Sequence, residues 1–364
     1  MSYQRQAQAL DAEILRVIGR WHMAGTALTD AEFDELALAI FAHQLRYNAP
    51  YARYCASLGV TLEAMPPSWD RIPPVPTSAY RETTLATFDP TLAALAFVTS
   101  GTTSGIGGRH YMETRTLYDA ALLAGFDRFV LSDGARLRYL NLVPNPSDRP
   151  DSSLGYMLGR ICAERGDAAT GWYLRGDDFF IEAFLADAQE AIRDRQPVCI
   201  PGTAFAFVAL LDLVAERGVH LELPAGSRVM ETGGFKGRSR VIDREQLYAG
   251  LTQRLGIPPN RIIAEYGMTE LTSQWYDDVA TRVKRAPPWL RAYAIGENDR
   301  RLAPGTLGTL VHVDLANRSS CVAIASDDLG VETQDGILLH GRQEGSEPRG
   351  CSLDAQTLRA RHGV

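Results

Sequence analysis

The stretch LAFVTSGTTSGIGGR, residues 95–109, guides the interpretation of the whole sequence. Its first four residues are apolar and predict a short strand, which leads into a loop rich in hydroxyl groups and glycine. Backbone N–H groups can turn inward in such a loop and hydroxyls add donors, a pattern suited to phosphate, although a surface loop without function has the same composition. The GxxxxGK[ST] spacing of a P-loop is absent. The candidate phosphate-binding residues are Thr99, Ser100, Gly101, Thr102, Thr103, Ser104 and Gly105.

Helices are predicted upstream of this stretch. Apolar residues recur at helical spacing over the first 60 residues, and Thr29 and Glu32 have the spacing of a capping box. Five prolines within residues 65–77 predict an extended surface connection, because proline does not fit inside regular elements.

Short apolar runs alternate with helical patterns downstream, which predicts an α/β fold with layered sheets. The runs expected to form strands are Leu95–Val98, Leu137–Val143, Val198–Ile200, Val229–Met230 and Ile262–Ala264. Helices are expected at 177–195, 203–218 and 243–256, the last between an Asp243 N-cap and Gly256. Residues 305–314 and 321–340 are expected to form strands, with a hairpin turn at Asp335–Gly336.

These patterns suggest three parts. Residues 1–77 would form a helical N-terminal layer with the proline-rich connection, and residues 78–304 the α/β nucleotide- and acyl-binding core. Residues 305–364 would form a small β-rich subdomain and a tail.

Composition excludes several classes of protein. The net charge of −7 comes without a basic stripe, so nucleic acid is not an expected partner. No apolar run approaches the ~20 residues that span a bilayer, and the N-terminus does not resemble a secretion signal, so we expect a cytoplasmic protein. The five cysteines lack CxxC spacing and favour neither zinc nor disulfides. Nearly all basic residues are arginine, and only Lys236 and Lys284 are lysine.

A second candidate segment is AEYGMTE, residues 264–270, at the end of another predicted strand. The Glu270 carboxylate is suited to holding a magnesium ion through water, while Thr269 and backbone groups contact phosphate or a substrate carboxylate. The alternative is a strand-to-helix turn in which Glu270 begins the helix. The other candidate binding residues of this segment are Glu265, Tyr266, Gly267 and Met268.

Two further segments lie in the β-rich region. They are SDDLG, residues 326–330, and the pair Gly341-Arg342. Asp328 can accept both hydroxyls of a ribose and Arg342 can reinforce that grip, although an Asp-Asp-Leu-Gly turn is common in β-rich segments.

In this order the four segments resemble the acyl-adenylate-forming superfamily, which includes acyl-CoA synthetases, firefly luciferase and peptide-synthetase adenylation domains. Its TSGTTGxPKG, YGxTE, TGDL and GR motifs are similar, respectively, to residues 99–109, 266–270, 326–329 and 341–342. The resemblance spans residues 70–353 and implies an adenylate-forming large domain that uses ATP and Mg²⁺.

The resemblance also implies individual roles. Glu270 would bind magnesium, Asp328 the ribose, Arg342 the ribose or a phosphate, and residues 99–103 the triphosphate. Two segments, METGGFKG at 230–237 and GSEPRGCSL at 345–353, look like the acyl-protein synthetase branch, whose best-known member works in the bacterial luminescence fatty-acid reductase complex. By that likeness Gly233 and Gly234 line the adenine pocket, where backbone without a Cβ approaches the ring, unless they form an ordinary glycine turn.

The sequence departs from the superfamily pattern at several positions. Ser104 is an additional residue in the loop, Arg109 stands where lysine is usual, and Asp327 replaces a glycine. Only 22 residues follow Arg342, so we expect the mobile C-terminal domain and its catalytic lysine to be absent. Arginine delivers charge with a different geometry, which makes Lys236 a candidate replacement, the alternative being a solvated loop lysine.

Cys351 is a candidate acyl acceptor. In the synthetase branch a cysteine near the C-terminus takes the acyl group as a thioester, and Arg349 nearby would favour the thiolate; the alternative is an inert tail cysteine. Coenzyme A and the phosphopantetheine of a carrier protein are equally compatible with the sequence.

We therefore expect ATP-dependent activation of a fatty or aromatic acid, release of pyrophosphate, and acyl transfer to a thiol. Trp275 and Tyr276 are candidates for the acid pocket, although such aromatics are more often core. The alternatives are a coenzyme A ligase completed by a separate chain, a non-catalytic nucleotide- or acyl-binding subunit of a complex with partners such as an acyl reductase, and a kinase that yields ADP.

Overall fold

The computed structural model describes residues 2–99, 107–176, 178–233 and 243–342. The α-helices are α1 (Tyr3–Ala24), α2 (Asp30–Tyr47), α3 (Ala49–Ser57), α4 (Ala79–Glu82), α5 (Thr116–Phe129), α6 (Ser153–Arg165), α7 (Ile181–Arg193), α8 (Ala204–Glu216) and α9 (Arg244–Leu255). Short 3-10 helices are formed by Trp69–Arg71, Pro90–Leu92 and Pro259–Arg261.

The strands follow the same numbering along the chain. They are β1 (Val75–Pro76), β2 (Leu95–Val98), β3 (Arg109–Met112), β4 (Arg138–Pro144), β5 (Gly171–Arg175), β6 (Asp178–Phe179), β7 (Val198–Thr203), β8 (Arg228–Thr232), β9 (Ile262–Tyr266), β10 (Trp275–Asp277), β11 (Lys284–Arg285), β12 (Leu290–Ile295), β13 (Leu307–Asp314), β14 (Ala323–Thr333) and β15 (Gly336–Arg342).

Contacts divide the described chain into two compact units, each built from separate segments. The first unit comprises residues 2–128, 267–275 and 283–342, and the second comprises 129–266 and 276–282. This division differs from the three consecutive ranges that the sequence suggested. The N-terminal helices and the late β-rich region fall in one unit because β1 pairs with β14.

The N-terminal helices form as the sequence predicts. Ile14 and Ile18 lie on the buried face of α1. The predicted capping box begins α2: the Thr29 hydroxyl accepts from the Glu32 backbone N–H, while the Glu32 carboxylate accepts from the Thr29 N–H. Both reciprocal bonds satisfy helix-end donors that otherwise have no partner inside the helix.

The proline-rich connection contains more regular structure than expected. Besides a 3-10 turn, it contributes the two-residue strand β1, in which Pro76 lies opposite Ala325 in a parallel pairing. The ladder bond comes from the next residue, since the Thr77 N–H donates to the Ala325 carbonyl at 3.2 Å. Proline is therefore tolerated here because no donor is required of it.

The first unit contains an antiparallel sheet with the order β12-β13-β14-β15-β11. The hairpin between β14 and β15 closes with Thr333 opposite Gly336, so its two loop residues are Gln334 and Asp335. The predicted turn at Asp335–Gly336 was thus one residue too late. Gly336 has no room for a side chain, because a Cβ would stand 2.0 Å from the Lys284 carbonyl oxygen.

The second unit contains the parallel sheet that the apolar runs predict. Its order is β9-β8-β7-β4-β5, all parallel, with β6 antiparallel at the β5 edge. Helices α7, α8 and α9 confirm the three predicted helices. For α9, Asp243 accepts from the Gln246 N–H, and Gly256 ends the helix with a left-handed φ of 69°. The carboxyl ends of neighbouring parallel strands form one edge, the usual ligand-binding edge of an open α/β sheet.

Candidate functional site

The base of the candidate phosphate loop is closed by Thr99 and Gly108. The Thr99 N–H donates to the Gly108 carbonyl, and the Gly108 N–H donates to the Thr99 hydroxyl, both at 2.8 Å. A Cβ at Gly107 would lie 2.5 Å from the Thr99 carbonyl oxygen, and one at Gly108 would lie 2.9 Å from the Tyr80 carbonyl carbon. The loop therefore joins the antiparallel strands β2 and β3, and the two residues before β3, Gly107 and Gly108, leave no room for a side chain. The candidates Ser100 to Gly105 lie outside the described residues.

His110, the next residue, connects this hairpin to the Tyr-Gly-Met-Thr-Glu segment. Its Nδ1 is 2.8 Å from the carbonyl oxygen of Thr269, and the imidazole is 1% exposed. Burial lowers the pKa of His110 to about 4, although the hydrogen bond to Thr269 acts in the opposite direction. The ring is thus neutral near pH 7, and because a carbonyl only accepts, the proton is on Nδ1.

Glu270 lies in a turn of the first unit with its side chain buried. The turn is closed by the Leu271 N–H, which donates to the Met268 carbonyl at 3.0 Å, and the chain continues to β10. No helix begins at Glu270, so the alternative of a helix-start carboxylate is not what the structure has. Asn317 donates through Nδ2 to the Glu270 carbonyl at 2.8 Å and to the Cys321 carbonyl at 3.0 Å.

Asp314 holds the residues that follow Glu270. Its Oδ2 accepts from the backbone N–H groups of Thr272 at 2.9 Å and Ser273 at 2.8 Å, and its Oδ1 accepts from the Ser273 hydroxyl at 2.9 Å. Burial raises the pKa of Asp314 to about 6, although the four hydrogen bonds it accepts, including one from Ala316, act in the opposite direction. The backbone around Glu270 is therefore fixed from both sides by buried side chains.

The Ser-Asp-Asp-Leu-Gly segment lies within β14 and not in a turn. Ala325 pairs with Val311 and Leu329 with Thr309, so the three residues Ser326 to Asp328 stand opposite the single residue Leu310. The Ser326 hydroxyl stabilises this irregularity: it donates to the Leu310 carbonyl at 2.9 Å and accepts from the Asp328 N–H at 3.2 Å. Bulges of this kind re-aim side chains next to binding sites.

A second bulge, in β15, places Arg342 beside Asp328. Leu329 is opposite Gly341 whereas Gly330 is opposite Leu339, which leaves one residue of β15 extra. Without that shift Gly341 would face Asp328; with it, Arg342 does, and its Nε donates to Asp328 Oδ1 at 2.9 Å. Gly341 has a φ of 113°, which explains the glycine at this position.

The second unit carries the remaining described candidates at the carboxyl ends of β8 and β9. Thr232 and Glu265 are register partners, and the Thr232 hydroxyl donates to the Glu265 carboxylate. Gly233 follows with a φ of 98°, a conformation that disfavours other residues. Tyr266 ends β9, so the division between the units falls inside the Tyr-Gly-Met-Thr-Glu segment, before Gly267.

A cavity of about 680 Å³ lies elsewhere in the second unit, against α9. The Arg282 guanidinium stands 4.8 Å from the centre of the Tyr248 ring, and the Tyr248 hydroxyl donates to the buried Glu231 at 3.0 Å. Its lining residues are Arg244, Glu245, Tyr248, Ala249, Thr252, Gln253, Pro259 and Arg282. None of these belongs to the sequence-predicted site.

Two candidates for the acid pocket are both buried. Trp275 packs edge-on against His312 with ring centroids 5.8 Å apart, and Tyr276 stacks on Phe129 at 5.2 Å. These contacts agree with the alternative in which both residues are core. Gly234, Lys236 and Cys351 lie outside the described residues.

The side chains around Glu270 are compatible with a magnesium ion that is bound partly by substrate, and not with a metal site formed by protein ligands alone. Within residues 2–99, 107–176, 178–233 and 243–342, no three His, Cys, Asp or Glu side chains come together as a metal site. Magnesium is commonly bound by one or two carboxylates together with substrate phosphates, so a single carboxylate such as that of Glu270 is compatible with such a site. None of the described helices combines the length and apolar character needed to cross a membrane.

Some residues that shape this region could not be predicted, or only weakly, from the sequence. For His110 the one indication was its position directly after the loop, but Thr269, to which it is hydrogen-bonded, is 159 residues away in the sequence. For Asn317 and Asp314 there was none, because their roles depend on pairing between distant segments.

A family model for acyl-protein synthetase, LuxE, matches residues 29–355. The long-chain-fatty-acid–luciferin-component ligase of Vibrio harveyi is 22% identical over 303 residues, which are 81% of this chain and 78% of that ligase.

Solved structures share the fold at low identity. A 2-hydroxyisobutyryl-CoA ligase in complex with 2-HIB-AMP and CoA superimposes with a TM-score of 0.64 at 15% identity, over 87% of this chain and 69% of the ligase. McyG A-PCP complexed with phenylalanyl-adenylate gives a TM-score of 0.52 at 15% identity, over 72% of this chain; the match spans only 43% of that protein. The expected adenylate-forming fold is therefore confirmed.

Proposed function

Because the chain belongs to the acyl-protein synthetase (LuxE) family, a family of ligases, we propose that it activates a carboxylic acid with ATP and passes the acyl group to a thiol. The observation that carries this proposal is the Asp328–Arg342 pair. Two residues 14 positions apart, each singled out from a different motif, stand opposite each other because of the extra residue in β15. Such a pair offers a carboxylate for ribose hydroxyls and a guanidinium for the adjoining anion.

In the proposed first step, a carboxylate oxygen of the acid attacks the α-phosphorus of ATP. The bond to the bridging oxygen breaks, pyrophosphate leaves, and the acyl group becomes joined to AMP. Glu270 would hold magnesium, which when bound neutralises charge on the phosphates. Thr269 and the backbone and hydroxyl donors of residues 99–105 would orient the triphosphate, since positioned donors act best where charge develops.

Gly233 and Gly234 would let backbone approach the adenine ring, and Tyr266 to Met268 would be further nucleotide-binding residues. Glu265 accepts from Thr232, and this bond would keep the ends of β8 and β9 aligned. Lys236 would neutralise charge at the forming acyl-phosphate bond.

In the second step a thiolate attacks the acyl carbon, and AMP leaves with the bonding electrons. The acid is a fatty or aromatic acid, and the acceptor is Cys351, coenzyme A or a carrier-protein thiol. Intact mass after incubation with acid, ATP and Mg²⁺ separates these acceptors. An adduct lost in Cys351→Ser identifies the cysteine, whereas acylation of added coenzyme A or carrier protein by an unmodified chain identifies an external thiol.

Product analysis tests the proposed reaction. Wild-type chain with acid, Mg²⁺ and a thiol should convert ATP to AMP and pyrophosphate in equal amounts. Asp328→Ala should lose most of this activity, while Asp335→Ala, at the tip of the same hairpin, should keep it. If ADP formed instead of AMP, the proposed reaction would be wrong and the protein would be a kinase. If the chain bound ATP tightly but formed no AMP with any class of acid tested, the proposed reaction would be wrong and a non-catalytic binding subunit would be the better interpretation.

A further inference from the structure

We propose that His110 is a positioning residue that sets the spacing between the phosphate loop and Glu270. The inference rests on the proposed function, because it concerns how the same site holds ATP with its magnesium. The described base of the loop and Glu270 both lie in the first unit, and His110, on the strand that leaves the loop, is hydrogen-bonded to the residue before Glu270.

On one side His110 belongs to the closing strand of the loop. His110 is two residues after Gly108, whose N–H and carbonyl are both hydrogen-bonded to Thr99. His110 also lies opposite Phe97 of β2 in the strand pairing. A shift of the imidazole therefore moves the base of the loop with it.

On the other side the imidazole holds the residue before Glu270. The 2.8 Å bond from Nδ1 reaches the Thr269 carbonyl, while Asn317 reaches the next carbonyl, that of Glu270, at 2.8 Å. Two consecutive carbonyls are thus fixed by different elements. The His110 bond joins this turn to the loop strand.

The surroundings of His110 suit a fixed link. The side chain is 1% exposed and its ring packs edge-on against Tyr80, with centroids 5.8 Å apart. A buried neutral imidazole with its proton on Nδ1 cannot exchange this bond for one to water. We therefore expect the link to persist through the catalytic cycle.

Two amide variants separate a positioning role from a packing role. Asparagine at 110 places its side-chain nitrogen near the position of Nδ1 and can keep the bond to Thr269, whereas glutamine places its nitrogen near Nε2 and cannot. Losing one buried hydrogen bond is expected to raise KM for ATP and the Mg²⁺ concentration for half-maximal activity about 10-fold in His110→Gln. In His110→Asn the KM for ATP and the Mg²⁺ requirement should both stay within about 3-fold of wild type, because this variant keeps the hydrogen bond and a change of roughly 3-fold is smaller than the loss of one hydrogen bond would cause.

A matched control is His43, a histidine of the same unit whose pKa burial also lowers to about 4 and which lies between Tyr3 and Tyr47. His43→Leu should leave KM for ATP unchanged. In His110→Gln kcat at saturating ATP and Mg²⁺ should change less than KM, because the reacting atoms are untouched.

The experiment measures acid-dependent AMP formation over a matrix of ATP and Mg²⁺ concentrations for the four proteins. Equal KM values for His110→Asn and His110→Gln, both folded by circular dichroism, would overturn the positioning role. So would a rise in KM in His43→Leu as large as that in His110→Gln. If wild type itself formed no AMP, the proposed function would fail, and ATP–Mg²⁺ affinity by calorimetry would still report on His110 with the same ranking of variants.

Discussion

Arg318 is expected to be among the most sensitive positions for folding of the first unit. Its guanidinium, 1% exposed, donates to both oxygens of Asp11 on α1 at 2.7 and 2.9 Å and to Glu113 after β3 at 2.6 Å. Arg318→Met keeps much of the apolar stem but removes the cation, which leaves two carboxylates facing each other across the vacated site.

The size of the effect follows from burial. Removing one partner of a fully buried ion pair costs about 3–5 kcal/mol because the remaining charge has no compensation. The side chains of Asp11 and Glu113 retain 18% and 25% exposure, so water can relieve part of that cost. We therefore expect the lower end, a loss of about 3 kcal/mol in the free energy of unfolding at neutral pH.

Urea unfolding followed by circular dichroism and tryptophan fluorescence measures this loss. In the Arg318→Met background, Glu113→Gln should recover part of the stability, because the cost comes from the uncompensated carboxylates. Arg16→Met is the control: Arg16 pairs with Glu13 on the same helix at 51% exposure, and its loss should leave the unfolding midpoint unchanged. A loss below about 1 kcal/mol for Arg318→Met, the range of exposed pairs, would refute the reasoning.

Three further predictions address other parts of the chain. Gly341→Ala should lower the free energy of unfolding, measured in urea, by about 1–3 kcal/mol, since φ is 113° there. It should also raise KM for ATP because Arg342 is displaced, and an unchanged KM would contradict the role of the bulge. Gly108→Ala should weaken ATP binding measured by calorimetry, since a Cβ would stand 2.9 Å from the Tyr80 backbone, and wild-type affinity would show that the loop base tolerates the shift. Burial lowers the pKa of His43 from 6.5 to about 4, so its contribution to stability is present above pH 6.5 and is lost as the pH falls toward 4; His43→Leu should flatten the pH dependence of unfolding in that window, and an unaltered slope would show that His43 is not the group responsible.

Local chemistry explains which parts of the fold the sequence predicted. Asp243 and Gly256 bound α9 because capping depends only on the residues at the helix ends. The strand at Leu95–Val98 was predicted with its observed bounds, and the longer strands were found with their ends shifted by a few residues. Apolar periodicity records burial, which ends where the core ends and not where the hydrogen-bonded ladder ends.

Long-range pairing explains what the sequence did not predict. Pro76 joins a strand because the donor at that ladder position belongs to Thr77. The register of β14 with both its neighbours is shifted by bulges, and the shift between β14 and β15 brings Asp328 and Arg342 together. The motifs could be found separately, but their mutual position depends on hydrogen bonds between segments that no local pattern specifies.

Acid-dependent exchange of labelled pyrophosphate into ATP tests the proposed acyl activation most directly, because it requires reversible formation of the acyl-adenylate and no thiol acceptor. Exchange should appear with one class of fatty or aromatic acid, should need Mg²⁺, and should fall strongly in Glu270→Gln and Asp328→Ala. Absence of exchange with all acids, in a chain that binds ATP and Mg²⁺, would contradict acyl activation by this protein on its own.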